Sequence, residues 1–387
     1  MRSIAVVTVG RSDYGIYVPL LRRLREAEDI QLRILAAGTH LSPEFGRTVD
    51  LIERDGFSIS ARVEMLLSSD SPEGIAKSMG LGVAGFAQVY GASRPDLLVA
   101  LGDRFEMLSA VAAAVPFNIP VAHLHGGEIT QGAIDEAFRH AITKMSHLHF
   151  VATAEYGRRV AQMGEEAWRI TVSGAPALDH LRTLRLLSRE DLAKATGLRL
   201  DRPPLLVTFH PVTLEYEQAG AQVDELLAAL KDAGQPVIFT MPNADTGGRA
   251  VRASILRWVQ DHPLAQAVEN LGTEGYFSLM SHAAAMVGNS SSGLIEAPSL
   301  GLPVVNIGSR QAGRVRAANV IDVEGGRAAI LSGIHQALVP DFRQHLSREP
   351  NPYGDGTASE RIVARLKTIA LDDRLLRKRF VDHTFVA

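Results

Sequence analysis

Short apolar runs alternate with stretches of helical period along the whole chain. In the first half the runs are SIAVVTV, IQLRILAA, DLLVAL, IPVAHL and HLHFVAT, each predicting a strand buried on both faces. Amphipathic segments such as IYVPLLRRLREAE and FEMLSAVAAAV lie between them and predict helices. That alternation predicts βαβ units and a parallel sheet with helices on both sides. A second series, PLLVTF, QPVIFTM, AAAMVG and LPVVNIG, begins after about residue 180. Between the series, VSGAPALDHL (Val172 to Leu181) passes from an apolar run into Gly and Pro, the mark of a crossing between domains. The expectation is an α/β fold of two Rossmann-like domains, 1–175 and 176–365. Open sheets of this kind take ligands at the carboxyl ends of their strands, so two of them facing each other give a central cleft.

Composition narrows the function classes. The 387 residues exceed one ordinary core, in keeping with two domains. Net charge is −3 with acids and bases interspersed, which points away from a nucleic-acid partner while leaving room for a local phosphate pocket. There is no cysteine, which removes disulfides, thiolate zinc and cysteine nucleophiles and fits a cytoplasmic setting. The opening MRSIAVVTVG reads as a buried strand, not a signal peptide or membrane span.

The chemistry-bearing residues fall just after the predicted strands. GRSDYG (Gly10 to Gly15) lacks dinucleotide-fingerprint spacing; its Arg11 is either a phosphate contact or a solvated turn residue. LGDRFE carries Asp103 and Arg104, an anion-site pair or a simple helix cap. HLHGGEITQGAIDEAFRH packs three histidines and three acids into eighteen residues, from His123 to His140. His123, His125 and Glu128 offer zinc-ligand types, but no second ligand cluster is evident and a metal is not expected. Glu128 on the loop and Asp135 at the helix start suit an acid/base pair instead.

In the second half, His210 ends LLVTFH and Asn243 lies in MPNADTGG. GNSSSGLIE leads a strand into Asn289, Ser290, Ser291 and Ser292 ahead of a predicted helix carrying Glu296. Hydroxyls and free amides at a helix start suit a diphosphate, and Glu296 suits a ribose diol; serine capping alone is the plainer reading. Arg310, Arg314 and Arg316 then form a local basic patch.

Together GRSDYG, LGDRFE, HLHGGE with RHAITKMSHLH, FHP, MPNADTG, GNSSSGLIE and NIGSRQAGRVRAANVIDV resemble the hydrolysing UDP-N-acetylglucosamine 2-epimerases, in order and over nearly the whole chain. The resemblance implies a GT-B-like pair of domains with a tail, 366–387, packing back on the first. It implies conversion of UDP-N-acetylglucosamine and water to N-acetylmannosamine and UDP, for sialic-acid synthesis, by anti elimination to a glycal and then hydration. No metal or redox cofactor is needed, and a homodimer or homotetramer is expected. By motif position Asp103, Glu128, Asp135 and His210 are the catalytic set. Arg11, Arg104, Asn243, Ser290, Ser291, Glu296 and Arg310 are UDP ligands, joined by Ser292 and Arg314 from the same runs. Many relatives have a glutamate where this chain has His125, while others share its HxHGG; either His125 or Glu128 then carries part of the acid/base work. Two alternatives stay open: the same chemistry on UDP-2,4-diacetamido-2,4,6-trideoxyglucose, for legionaminic acid, and, more remotely, a GT-B glycosyltransferase.

Overall fold

Successive residues of a strand point to opposite sides of a sheet, and this chain supplies apolar side chains to both. In the computed structural model, which describes residues 1–69, 71–130, 134–210, 219–241, 248–269, 271–346 and 350–383, the result is two all-parallel sheets. The first contains β1 (Arg2–Thr8), β2 (Ile30–Ala37), β3 (Ile59–Val63), β4 (Leu97–Leu101), β5 (Val121–Leu124), β6 (Leu148–Val151) and β7 (Ile170–Val172). Its order is β3-β2-β1-β4-β5-β6-β7. Ile4, Val6, Leu97 and Val99 enter one core with Tyr14, Leu20 and Leu21 of the helix Arg11–Glu26. Ala5, Val7, Leu98 and Ala100 enter the other with Met107, Ala110 and Val111 of the helix Phe105–Ala114.

The second sheet contains β8 (Leu205–Thr208), β9 (Val237–Thr240), β10 (Ala265–Val268), β11 (Ala285–Gly288), β12 (Val304–Ile307) and β13 (Val320–Val323), in the order β10-β9-β8-β11-β12-β13. The same alternation divides Leu205, Val207 and Phe239 from Leu206, Ile238 and Met286. In each sheet the strand order reverses beside the first strand, β1/β4 and β8/β11, where open α/β sheets leave a crevice at their carboxyl ends.

The chain divides into two compact units: 1–128, 135–180 and 353–387 form one, and 129–134 with 181–352 form the other. The first crossing thus follows His180 rather than residue 175, because Asp179 accepts backbone N–H bonds from Ala358 (2.9 Å) and Ser359 (2.6 Å) and stays with the first core. The return comes at Tyr353, well before 366: its hydroxyl bonds Tyr156 at 2.9 Å and its carbonyl accepts from the Ala175 amide at 2.7 Å. Ile362 and Leu366 of the helix Ala358–Thr368 are fully buried in the first unit's core, each contributing about 2 kcal/mol by its burial.

The end of the chain is tied down by polar contacts. Arg169, 1% exposed, donates to the carbonyls of Leu375 (2.8 Å) and Arg374 (2.9 Å). Lys378 donates to the carbonyls of Lys144 and Ser146 and to Glu165. Glu165 also accepts from Lys144 (2.6 Å) and His149 (3.0 Å).

Candidate active site

The first unit's candidate residues gather at the ends of β4 and β5, which pair directly with Leu101 opposite Leu124. His123 is fully buried, its Nε2–H donating to the Gly102 carbonyl at 2.8 Å while Thr143 lies 3.1 Å from Nδ1. With both nitrogens engaged and burial pushing it down to about 3, His123 is a neutral strut between the two strands. Among the described residues no three His, Asp or Glu side chains group as metal ligands.

His125 is different. Its backbone sits in the left-handed region (φ 63°), which costs a non-glycine residue and marks a position fixed by its surroundings. The residue is 8% exposed and its Nδ1 lies 2.5 Å from Glu128 Oε1. A carboxylate only accepts, so Nδ1 carries the hydrogen; Nε2, also buried, has no hydrogen-bond partner among the described residues. The turn that brings the two together requires glycine at 127, where φ is 75° and a Cβ would lie 2.5 Å from the Tyr156 carbonyl oxygen.

Asp103 does not cap the helix that follows it. The N-cap is Arg104, whose side chain makes no capping bond, and Asp103 instead receives Arg139, which is 3% exposed on the helix Asp135–Met145. Asp103 keeps 22% of its side-chain surface open, a carboxylate held by one buried cation and still open to a ligand. Arg139 was not among the sequence candidates. Its signal was its place four residues after Asp135, on the buried side of that helix. Asp135 is the first residue of that helix and half-buried. Arg104 reaches the fully buried Glu106 at 3.2 Å. Arg11 is not in a turn: it is the exposed first residue of its helix. Close by, Asp13 accepts from the Val9 and Gly10 amides (2.8 and 2.7 Å), and burial pushes it up to about 6.

In the second unit Asn289 is the hub. Its side chain accepts from the His210 amide and donates to the His210 carbonyl, both at 2.8 Å, locking the ends of β8 and β11 together. Its own carbonyl accepts from Arg310 (3.0 Å) and Gln311 (2.8 Å). Gly288 precedes it at φ 137°, where any Cβ would drive into the Thr208 carbonyl. His210 is 7% exposed, and burial, then the nearby Arg310 charge, lower it to about 3. It is a neutral imidazole, able to donate a hydrogen bond but not to act as a cation.

The serine run departs from expectation. Its helix is only Ser292–Ile295, a 3-10 turn (Ala297–Leu300) follows, and Ser291 caps nothing with its side chain. The Pro298 ring and the left-handed Gly301 break the segment before a helix with any useful dipole forms. Glu296 is therefore the residue between two turns. What the run does is gather hydroxyls: the Tyr276 phenol lies among Ser292, Thr208 and Ser290 near Glu296, and burial pushes it up to about 12. Tyr276 escaped the sequence analysis because it lies inside a helical stretch, Gly272–His282. Arg314 donates to the Ile129 carbonyl (3.1 Å) and Thr130 (3.3 Å), and Arg316 pairs with Asp322 at 2.6 Å, so Arg310 is the member of the basic patch placed against Asn289. Asn243 lies outside the described residues. A cavity of about 500 Å³ opens among Phe209, Gln222, Asn289, Ser309, Asp322 and Glu324; its two carboxylates disfavour a diphosphate there, leaving the hydroxyl cluster and Arg310 as the anion-accepting face.

The family model for UDP-N-acetylglucosamine 2-epimerase matches residues 22–367. The chain is 40% identical to the Legionella pneumophila UDP-N,N'-diacetylbacillosamine 2-epimerase (hydrolyzing), over 98% of this chain and 99% of that one. It is 38% identical, at the same coverage, to the Campylobacter jejuni GDP/UDP-N,N'-diacetylbacillosamine 2-epimerase (hydrolyzing). A crystal structure of the Neisseria meningitidis UDP-GlcNAc 2-epimerase bound to UDP-GlcNAc matches in fold with a TM-score of 0.82 at 19% identity, covering 95% of this chain and all of that one. With a family model spanning most of its length and two relatives of this similarity end to end, the chain belongs to the UDP-N-acetylglucosamine 2-epimerase family.

Proposed function

We propose that the protein is a hydrolysing 2-epimerase that turns a UDP-linked 2-acetamido sugar and water into UDP and the free C2-epimeric sugar. The observation that carries this is Asp103, a solvent-reachable carboxylate just past the end of β4, held by the buried Arg139, with the paired strand β5 leading into the His125–Glu128 pair. Removing a weakly acidic C2 proton needs such a positioned base, and restoring it needs a separate acid. Asp103 is the base, and anti elimination releases UDP to leave a 2-acetamidoglycal that water then enters at C1. The second unit holds UDP: Arg310 and the Ser290–Ser292–Tyr276 hydroxyls take the diphosphate, Glu296 takes the ribose, and neutral His210 donates to the departing phosphate.

The sugar is UDP-N,N'-diacetylbacillosamine, that is, UDP-2,4-diacetamido-2,4,6-trideoxyglucose. This inverts the order of preference drawn from sequence and rests on the end-to-end likeness to the Legionella and Campylobacter proteins; UDP-N-acetylglucosamine is the second reading. Initial rates on the two sugars, side by side in D2O, test both layers. The expected result is at least tenfold higher kcat/KM on the diacetamido sugar, with deuterium at C2 of the released product. Preference for UDP-N-acetylglucosamine would reverse the sugar assignment, and product without deuterium at C2 would remove the elimination chemistry.

A further inference from the structure

Glu128 and His125 come from the same short loop, yet the structure gives them unequal opportunities. Glu128 is 3% exposed, and one of its carboxylate oxygens is spent on His125 Nδ1 at 2.5 Å. His125 has one nitrogen committed to that carboxylate and one, Nε2, with no hydrogen-bond partner among the described residues. A buried ring nitrogen left unbonded is unfavourable, and it sits on a residue whose φ of 63° adds a further cost. Two unfavourable features on one residue, with an ion-paired Asp103 following the adjoining strand, mark a group kept for a ligand. His123, two residues earlier, is the internal contrast: same ring, same strand end, both nitrogens engaged.

Resting on the 2-epimerase reading, we infer that His125 is the acid that protonates C2 of the glycal, and that Glu128 is a positioning residue that fixes the tautomer and supports the imidazolium. In the first step the C2–H bond breaks, its proton goes to Asp103, and the C1–O bond electrons leave with UDP. In the second, Nε2–H gives its proton to C2 as the C1=C2 pair opens; water oxygen bonds C1, and the proton water sheds restores the imidazolium. Asp103 returns its proton to solvent. No oxidant or metal enters the balance.

The test uses His125→Asn and Glu128→Gln in the full chain, with whichever nucleotide sugar the wild type turns over. Asparagine tolerates positive φ, so the loop keeps its shape. UDP and sugar products are quantified by mass spectrometry. In His125→Asn, free sugar falls about 10²-fold or more while UDP release falls less, and the unsaturated sugar accumulates. Glu128→Gln shows the same partition in weaker form, with kcat lowered about tenfold and KM within about twofold. Loss of UDP and sugar in equal measure, with no glycal from either folded variant, would overturn the assignment. The elimination reading itself stands or falls separately, on whether wild-type product acquires C2 deuterium.

Discussion

Replacing Glu165 by Gln should loosen the first unit by about 3 kcal/mol at neutral pH. Glu165 has no exposed side-chain surface and accepts from Lys144, His149 and Lys378. Burial opposes its charge, but the bonds from His149, Lys144 and Lys378 win and hold it down at about 2, against an ordinary 4.5. At about 1.4 kcal/mol for each unit, that difference is worth about 3 kcal/mol, which agrees with the cost of breaking other buried pairs. A carboxylate lowered on folding stabilises fully above 4.5 and loses its contribution as the pH falls towards 2. The gap between wild type and Glu165→Gln should therefore be complete at pH 7.5 and close below 4.5. The chain has two tryptophans. Trp168 stands beside this cluster, donating to Glu166 and stacked by Arg169 and Arg374, whereas Trp258 lies in the second unit. Urea unfolding followed by fluorescence in a Trp258→Phe background thus reports the first unit alone. A variant within about 0.5 kcal/mol of wild type at pH 7.5, below the usual cost of a lost buried partner, would refute the reasoning.

Three further outcomes are expected. Asp103→Asn keeps an acceptor for Arg139, so UDP affinity by titration calorimetry should stay within about threefold while turnover falls about 10²-fold; near-normal turnover would exclude Asp103 as the base. Asn289→Ala removes both bonds that hold the His210 backbone and should weaken UDP binding about tenfold, with Trp168-monitored unfolding unchanged. Activity should survive exhaustive EDTA, since His123 has both nitrogens engaged; loss that zinc restores would revive a metal site.

What the sequence disclosed and what it hid divide along physical lines. Every interior strand carries an apolar run, and those were read directly. The four strands that left no such run, β3, β7, β10 and β13, are the four sheet edges, mostly half-exposed; with one flank open they need no continuous apolar stretch. Asp103, His125 and Glu128 were legible as candidates because they follow strands. Their partnerships were not: the Arg139–Asp103 pair joins a helix to a strand end, and the His125–Glu128 bond depends on a left-handed backbone that histidine rarely adopts. The serine run misled because its spacing fits a helix start, whereas Pro298 and Gly301 end the helical path.

The polar ties at the end of the chain also bear on synthesis. Arg2 donates to the carbonyls of Leu366 and Ile369, and Arg169 waits for carbonyls at 374, 375 and 377. A ribosome delivers these partners only after all of residues 181–352 has emerged. The second unit is a continuous insertion apart from 129–134 and can condense early, while the first is held incomplete with its Arg2 and Arg169 sites unfilled. Domains usually mature in the order they are made; here the first begun is the last finished, and a nascent chain arrested near residue 350 should expose the half that carries Asp103 and His125 to chaperones and proteases.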